Sequence, residues 1–129
     1  MTRISPHFTR AELQCKGSGE MVLADGFLNA LELLRIGYDR PMIITSGCRS
    51  PEHNAAIGGH PRSLHLTENP HHNLQGACAV DIKRPVGSDL HRLLHAATSL
   101  GWSIGIAKTF VHLDKRSRYT PLPPVIYTY

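Results

Sequence analysis

The sequence contains no apolar run that approaches the ~20 residues of a membrane-spanning helix. The opening segment, residues 1–8, also lacks the apolar core of a secretory signal peptide. We therefore expect a protein that is made in the cytoplasm, stays there unless it is released and has no membrane partner.

Cysteine is also scarce, with three residues, Cys15, Cys48 and Cys78, and no CxxC spacing. An odd number without paired spacing argues against a disulfide framework and against a cysteine-ligated metal, so we expect reduced thiols. A catalytic Cys48 assisted by His53 is an alternative that we do not favour, because no third group is evident that would orient the pair.

Charge of either sign is not concentrated in one place. The 129 residues include 14 Lys and Arg against 10 Asp and Glu, which gives a formal net charge of +4. Nucleic-acid-binding surfaces gather basic residues on one face, whereas here only residues 115–118 form a basic cluster, so we expect no nucleic-acid partner.

The length suits one domain around one core, and we predict a single domain over residues 1–129 that is a monomer.

Four segments have helix signals. Thr9 followed by Glu12 has the pattern of a capping box, and Pro51 can begin a short helix. Asp25 and Ser88 can cap two longer helices, because each precedes apolar residues at helical intervals. Those residues are Phe27, Leu28, Leu31, Leu34 and Tyr38 in the first helix and Leu90, Leu93, Leu94, Ala97 and Leu100 in the second.

Strand signals occur between and after these helices. Apolar and β-branched runs predict four strands, at residues 42–45, 79–83, 103–107 and 110–113. Residues 60–78 are rich in Pro, Asn, His and Gly and have no sustained period, which predicts a loop. The tail from Pro121 onward is predicted to be extended along the surface.

Two imidazoles and one carboxylate form a candidate zinc ligand set: His65, Asp81 and His112. Asp81 lies in an apolar run, and a buried carboxylate needs a cation or several hydrogen-bond donors. Three protein ligands leave a fourth tetrahedral position for water or substrate, which is typical of catalytic zinc. A single histidine in a chain that has nine is more often a surface residue, so the residues alone leave each role open.

Five ordered blocks resemble the peptidase M15 family, most closely its branch of zinc D-Ala-D-Ala carboxypeptidases and phage peptidoglycan peptidases. The blocks are TSGCRSPEHN at 45–54, GG at 58–59, SLH at 63–65, AVD at 79–81 and FVHLD at 110–114. Two earlier segments, FTRAEL at 8–13 and KGSGE at 16–20, resemble the lead-in of the same branch. The resemblance therefore covers most of the chain.

The resemblance implies an α+β fold that is hedgehog/DD-peptidase-like: a small, mostly antiparallel sheet with helices on one side and the metal in a cleft over the other. It implies one zinc D-Ala-D-Ala carboxypeptidase-like peptidase domain with one Zn²⁺ held by His65, Asp81 and His112. The implied activity is hydrolysis of a bond in bacterial peptidoglycan stem peptides, either D-Ala-D-Ala or an L-Ala-D-Glu type bond. Such a protein acts on the cell wall after release, or is associated with a phage.

The resemblance also gives roles to residues around the metal. Arg49 can hold the carboxylate of a peptide or stabilise the oxyanion formed during hydrolysis, and Ser63 can bind the same end of the substrate. Asp114 can orient a ligand or move the proton during catalysis. The alternatives are that Arg49 braces the loop by pairing with Glu52, that Ser63 caps a turn and that Asp114 is solvated at a strand end.

The chain departs from the family pattern at the general base. Many members have an acidic residue three positions before the last zinc histidine, where this chain has Thr109. Threonine cannot serve as the proton carrier, and the candidate substitutes are Asp114 and a group from the loop that contains His71 and His72. The missing acid also favours an alternative function, a non-catalytic zinc-containing module that binds the wall or has a structural role in a phage.

A second departure is the long spacing between the first two ligands. Fifteen residues separate His65 from Asp81, more than is typical of the family, and the extra run is residues 67–75. Loop insertions cost little stability when the ends are fixed. We predict that this insertion lies at the rim of the cleft, where it could influence substrate choice, and we favour exposed positions for His71 and His72.

Overall fold

A five-stranded sheet is the centre of the fold in the computed structural model, which describes residues 2–129. Its strands are β1 (Ile44–Ser46), β4 (Ala79–Lys83), β5 (Ser103–Ile106), β6 (Phe110–Asp114) and β7 (Ile126–Thr128). The order across the sheet is β1-β4-β6-β5-β7; β5 and β7 are parallel, and the other neighbours are antiparallel. The prediction of an α+β fold with a small, mostly antiparallel sheet is confirmed.

The helices and a small hairpin connect these strands. The α-helices are α1 (Arg10–Leu13), α2 (Phe27–Tyr38), α3 (Pro51–Ala56), α4 (Ser88–Ser99) and α5 (Arg116–Tyr119). The hairpin consists of β2 (Glu68–Asn69), a 3-10 helix (Pro70–His72) and β3 (Leu74–Gln75). Among residues 2–129, none of the helices combines the length and the apolar character needed to cross a membrane.

Alternation along β4 and β6 separates the core from the cleft. Val80 and Ile82 of β4 and Val111 and Leu113 of β6 lie in the apolar cluster that also contains the buried faces of α2 and α4. Because side chains alternate across a strand, the residues between them lie on the opposite face of the sheet. This face carries the polar side chains of the candidate site.

The two long helices begin one residue away from the predicted caps. Gly26 is the N-cap of α2 and Gly87 is the N-cap of α4, and neither helix has a side-chain cap hydrogen bond. Gly26 has φ 80° and Gly87 has φ 59°, a backbone region that glycine adopts without strain. The predicted caps Asp25 and Ser88 were therefore wrong, whereas the capping box of Thr9 and Glu12 at α1 is present.

Residues 60–78 and the tail contain more structure than their composition predicted. The buried side chain of Asn69 organises the hairpin: its Nδ2 donates to the carbonyls of Arg62 (3.3 Å) and Ser63 (3.2 Å), and its Oδ1 accepts from the backbone N–H of His72 (3.4 Å). The chain forms α5 before the tail, and the tail itself forms β7, which pairs with β5. The pairing of β7 depends on a strand that is not its neighbour in sequence.

Glu32 ties the N-terminal segment to α2, and this contact gives a pH-dependent prediction. Its carboxylate accepts from the Ser5 hydroxyl (2.5 Å) and the His7 backbone N–H (2.8 Å) and contacts Nδ1 of His7 (2.6 Å). Burial alone would raise the pKa of Glu32, but these hydrogen bonds outweigh it and lower the pKa. Because the folded pKa is depressed, the stabilisation is present above the unfolded pKa and is lost as pH falls through the folded pKa.

We expect Glu32→Gln to lower the free energy of unfolding by about 1.5 kcal/mol at pH 7, because hydrogen bonds to a charged acceptor are lost. The difference from the wild type should shrink as pH falls through the lowered folded pKa of Glu32, where the native carboxylate also becomes protonated. Urea unfolding at pH 7 and over a descending pH series measures it, with Glu68→Gln at an exposed position as the control. A difference that does not depend on pH would contradict the assignment to the ionised carboxylate.

Candidate metal centre

The candidate site is built on one row of residues that crosses the sheet. Ser46 of β1 is paired with Asp81 of β4, Asp81 with His112 of β6, and His112 with Gly105 of β5. Gly105 is paired in turn with Tyr127 of β7. Paired residues on neighbouring strands project to the same face of a sheet, so this row places a carboxylate and an imidazole side by side.

His65 reaches the row from the loop between α3 and the hairpin. A short parallel bridge between Arg49 and Leu66 holds this loop, with hydrogen bonds from the Arg49 N–H to the His65 carbonyl (2.8 Å) and from the Thr67 N–H to the Arg49 carbonyl (2.9 Å). The His65 backbone N–H also donates to Oγ of Ser63 (3.2 Å). The backbone therefore fixes the position of the His65 ring.

The three side chains that were predicted to converge do so within the buried part of the chain. Nε2 of His65 lies 3.1 Å from Oδ1 of Asp81, and Nδ1 of His112 lies 2.9 Å from the same oxygen. The two nitrogens are 3.3 Å apart. His65, Asp81 and His112 are each less than a tenth exposed, so bulk water does not separate them.

Other contacts determine which nitrogen of each ring carries a proton. Nδ1 of His65 lies 2.8 Å from the Gly47 carbonyl, which can only accept, so this nitrogen is the donor. Nε2 of His112 lies 2.8 Å from Oδ2 of Asp114, whose carboxylate also accepts from Arg116. In the neutral rings, Nε2 of His65 and Nδ1 of His112 therefore present lone pairs toward Asp81.

The resulting cluster fits a metal cation. Two imidazole lone pairs and a carboxylate oxygen face one another with no proton between them when both rings are neutral, and a cation is the group that satisfies all three. Burial lowers the pKa of His65 despite the Asp81 carboxylate. Nitrogen and carboxylate donors of this kind suit Zn²⁺.

Asp114 lies behind His112, on the side of the ring away from Asp81. Its carboxylate is fully buried and accepts from His112, from the Arg116 backbone N–H (2.9 Å) and from the Arg116 guanidinium (3.0 and 2.8 Å). Burial alone would raise the pKa of Asp114, but these hydrogen bonds hold it at about 2. An ionised carboxylate with every oxygen engaged is suited to orient His112. The geometry therefore argues against Asp114 as the proton carrier, and it also excludes a solvated Asp114.

Arg49 lies between the metal cluster and α3. Its guanidinium donates to Oδ2 of Asp81 (3.3 Å), Oγ of Ser46 (3.2 Å) and Oδ1 of Asn54 (3.4 Å). These bonds use three of the five N–H donors of a guanidinium, so two remain for a ligand in the cleft. The alternative that Arg49 pairs with Glu52 is not what the structure has, since its carboxylate partner is Asp81.

An open cleft of about 510 Å³ lies over the cluster. Ser63, which caps the turn before His65, also lines this cleft, so its hydroxyl can still donate to a ligand. The insertion forms part of the rim as predicted: His72 is half-buried and lines the cleft, whereas His71 is exposed. The prediction that both histidines are exposed was therefore wrong for His72. Thr109 is exposed in the turn before β6.

The cleft contains aromatic residues that no motif in the sequence indicated. Tyr127 and Tyr129 of the β7 segment line it together with Phe110. The alternation of residues 126–129 was a strand signal, but the pairing with β5 could not be read from it. Arg116 was likewise seen only as part of a basic cluster, whereas its guanidinium is paired with Asp114.

Cys48 does not have the environment of a nucleophile. Its side chain is buried, and Sγ lies 3.4 Å from the Val22 carbonyl. Burial raises the pKa of the thiol to about 11. A thiol in this state is a structural residue, so the alternative of a catalytic Cys48 is excluded. Cys15 and Cys78 are also free and buried, in agreement with the expected reduced thiols.

An α+β domain whose cleft contains two histidines and an aspartate in this arrangement has the features of a metal-dependent hydrolase. The chain belongs to the peptidase M15 family: the family model described as Peptidase M15 matches residues 6–114. The members of this family are zinc peptidases, and the resemblance found in the sequence is confirmed. A comparison with curated proteins gave no match.

Proposed function

We propose that this chain is a zinc-dependent peptidase that hydrolyses a peptide bond in bacterial peptidoglycan stem peptides, either D-Ala-D-Ala or an L-Ala-D-Glu type bond. The observation that carries the proposal is the convergence of Nε2 of His65, Nδ1 of His112 and Oδ1 of Asp81 in an open cleft. Three protein ligands leave a position free for the reaction, as catalytic zinc sites do.

In this mechanism, His65, Asp81 and His112 hold the metal. Zinc, when bound, supplies a Lewis acid that polarises the scissile carbonyl and makes a water nucleophilic near neutral pH. Asp114 keeps the Nε2 proton on His112 and thereby leaves Nδ1 free as a ligand. The Gly47 carbonyl keeps the proton of His65 on Nδ1 and thereby leaves Nε2 of His65 free as a ligand.

Substrate binding is assigned to Arg49 and Ser63. The two unused N–H donors of Arg49 can bind a carboxylate of the peptide, or the negative charge that develops on the carbonyl oxygen. Ser63 lines the same cleft and can donate its hydroxyl to the same end of the substrate. The pairing of Arg49 with Asp81 holds the guanidinium close to the metal cluster, where such charge develops.

His72 is the side chain that we assign to proton transfer. Both side chains line the cleft, but Asp114 is fully buried with both carboxylate oxygens engaged by His112 and Arg116, whereas the imidazole of His72 is half-buried. An imidazole can both accept and donate a proton, which suits a group that takes a proton from water and passes it to the leaving amine. In this proposal the insertion therefore replaces the acidic residue that Thr109 does not provide.

The test is to incubate purified protein with defined muropeptides, with zinc and after chelation, and to identify products by mass spectrometry. We expect release of D-alanine or of stem fragments with zinc, loss of this release after chelation and recovery when zinc is restored. A protein that contains zinc and binds muropeptides without cleaving them would instead support the non-catalytic module, which the threonine at position 109 favours. A protein that neither cleaves nor binds them would refute both.

A further inference from the structure

The last strand brings two tyrosines into the cleft from outside the segment matched by the family. The family match ends at residue 114, and β7 lies at residues 126–128. We propose that Tyr127 and Tyr129 form a subsite for the peptide on the amino side of the scissile bond. This inference rests on the proposed function, since it names the part of the same substrate that these residues contact.

Gly105 makes room for the first of the two rings. It lies between His112 and Tyr127 in the row across the sheet. A Cβ at position 105 would lie 2.6 Å from Cζ of Tyr127, so the absence of a side chain lets the phenol cover the Gly105 backbone. The ring centroids of Tyr127 and His112 are 6.3 Å apart. Tyr127 is therefore the next side chain beyond the metal cluster on this face.

The second ring extends this surface. The centroids of Tyr127 and Tyr129 are 5.6 Å apart, and those of Tyr129 and Phe110 are 5.2 Å apart. The Arg116 guanidinium carbon lies 5.8 Å from the Tyr127 ring centroid and so links the tyrosine to the residue that holds Asp114. Tyr129 is 71% exposed and lines the cleft, so its ring is accessible to a ligand there.

The arrangement of charge indicates which part of the substrate lies here. In the proposed function Arg49 binds a carboxylate of the peptide at the β1 end of the row, and the tyrosines lie at the β7 end with the metal cluster between them. The amino side of a peptide that crosses the metal therefore extends toward β7. Two strand spacings separate β6 from β7, roughly 10 Å, which about three extended residues span.

Tyrosine suits this part of a peptide. Its ring offers a rigid apolar face for amide planes and aliphatic side chains, and its hydroxyl can donate to a peptide carbonyl. Peptides with several residues on the amino side should therefore use the subsite, and peptides with a single residue there should not. If a tyrosine served only to anchor β7, its replacement would lower the turnover of both kinds of peptide equally.

The experiment compares two peptides that share the bond cleaved by the wild type, one with a single residue and one with at least three residues on its amino side. We expect Tyr127→Ala to lower kcat/KM for the long peptide about tenfold and to change that for the short peptide less than about twofold. Tyr129→Ala, at a more exposed position, should act in the same direction without a risk to folding. Thr128→Ala is the control, because its side chain lies between the tyrosines and projects to the other face.

Affinity gives a readout apart from turnover. The amino-side product of the long peptide, titrated calorimetrically into the zinc-loaded protein, should bind about tenfold more weakly to Tyr129→Ala, with zinc content and thermal midpoint unchanged. Equal losses on the short and long peptides, or no loss on either, would overturn the subsite while leaving the peptidase in place. A wild type that cleaves neither peptide would overturn the proposed function and this inference with it.

Discussion

His65→Ala should lose bound zinc and, with it, turnover of any peptide that the wild type cleaves. We expect zinc affinity to fall by more than about 100-fold, because the loss of a ligand exceeds the 10–100-fold effect of losing a supporting residue. The two ligands that remain are Oδ1 of Asp81 and Nδ1 of His112, which lie 2.9 Å apart in the wild type, so the variant offers two donors in place of three. Metal analysis after dialysis, with competition against a chromophoric chelator, measures the change.

The control for this variant is His91→Ala, which removes an exposed imidazole from α4. It should keep about one zinc per chain, since α4 lies on the opposite side of the sheet from the cluster. Retention of zinc by His65→Ala at the level of His91→Ala would mean that the metal is held elsewhere. The His65, Asp81 and His112 cluster would then be a hydrogen-bonded network without a metal.

Asp114→Asn is expected to lower zinc affinity by about 10–100-fold while leaving kcat at saturating zinc within a few-fold of the wild type. The amide group can donate to Nε2 of His112, which moves the ring proton to Nδ1, the nitrogen that faces Asp81. The same change weakens the contacts with Arg116. Chelator competition and steady-state kinetics at high zinc concentration separate the two effects. The control is Asp89→Asn, a half-exposed side chain of α4 that pairs with Arg40 and does not line the cleft.

His72→Ala should give the opposite result, because it removes the proton carrier and leaves the ligands intact. We expect kcat to fall by roughly 100-fold or more, with zinc affinity unchanged. His71→Ala is the matched control, one residue away and exposed. If instead Asp114→Asn loses turnover with full zinc affinity and His72→Ala behaves like His71→Ala, then Asp114 moves the proton and the orienting role is refuted.

The alternation of β4 and β6 made much of this site predictable. Val80 and Ile82 flank Asp81, and Val111 and Leu113 flank His112, so an apolar face and a polar face could be read directly from the order of residues. The ordered blocks around Arg49 and His65 then linked the polar face to a loop distant in sequence. Local pattern was sufficient because period-two alternation is a property of each strand alone.

Strand alternation alone could not predict the role of Asp114. Its position two residues after His112 placed it on the same face, but its burial and its contacts with Arg116 depend on how α5 begins after β6. A carboxylate that moves protons and one that orients a ligand look the same in the sequence. The difference is solvent access, which is a property of the folded chain.

Thus the order of residues was enough to establish the family, the mostly antiparallel α+β fold and the three side chains that meet in the cleft. Tertiary structure alone decided that Asp114 supports His112, that the insertion brings His72 to the rim and that Tyr127 lies beyond Gly105. The physical reason is that strand periodicity is encoded locally, whereas burial, ring tautomers and the neighbours of β7 follow from contacts between segments that are far apart in the chain.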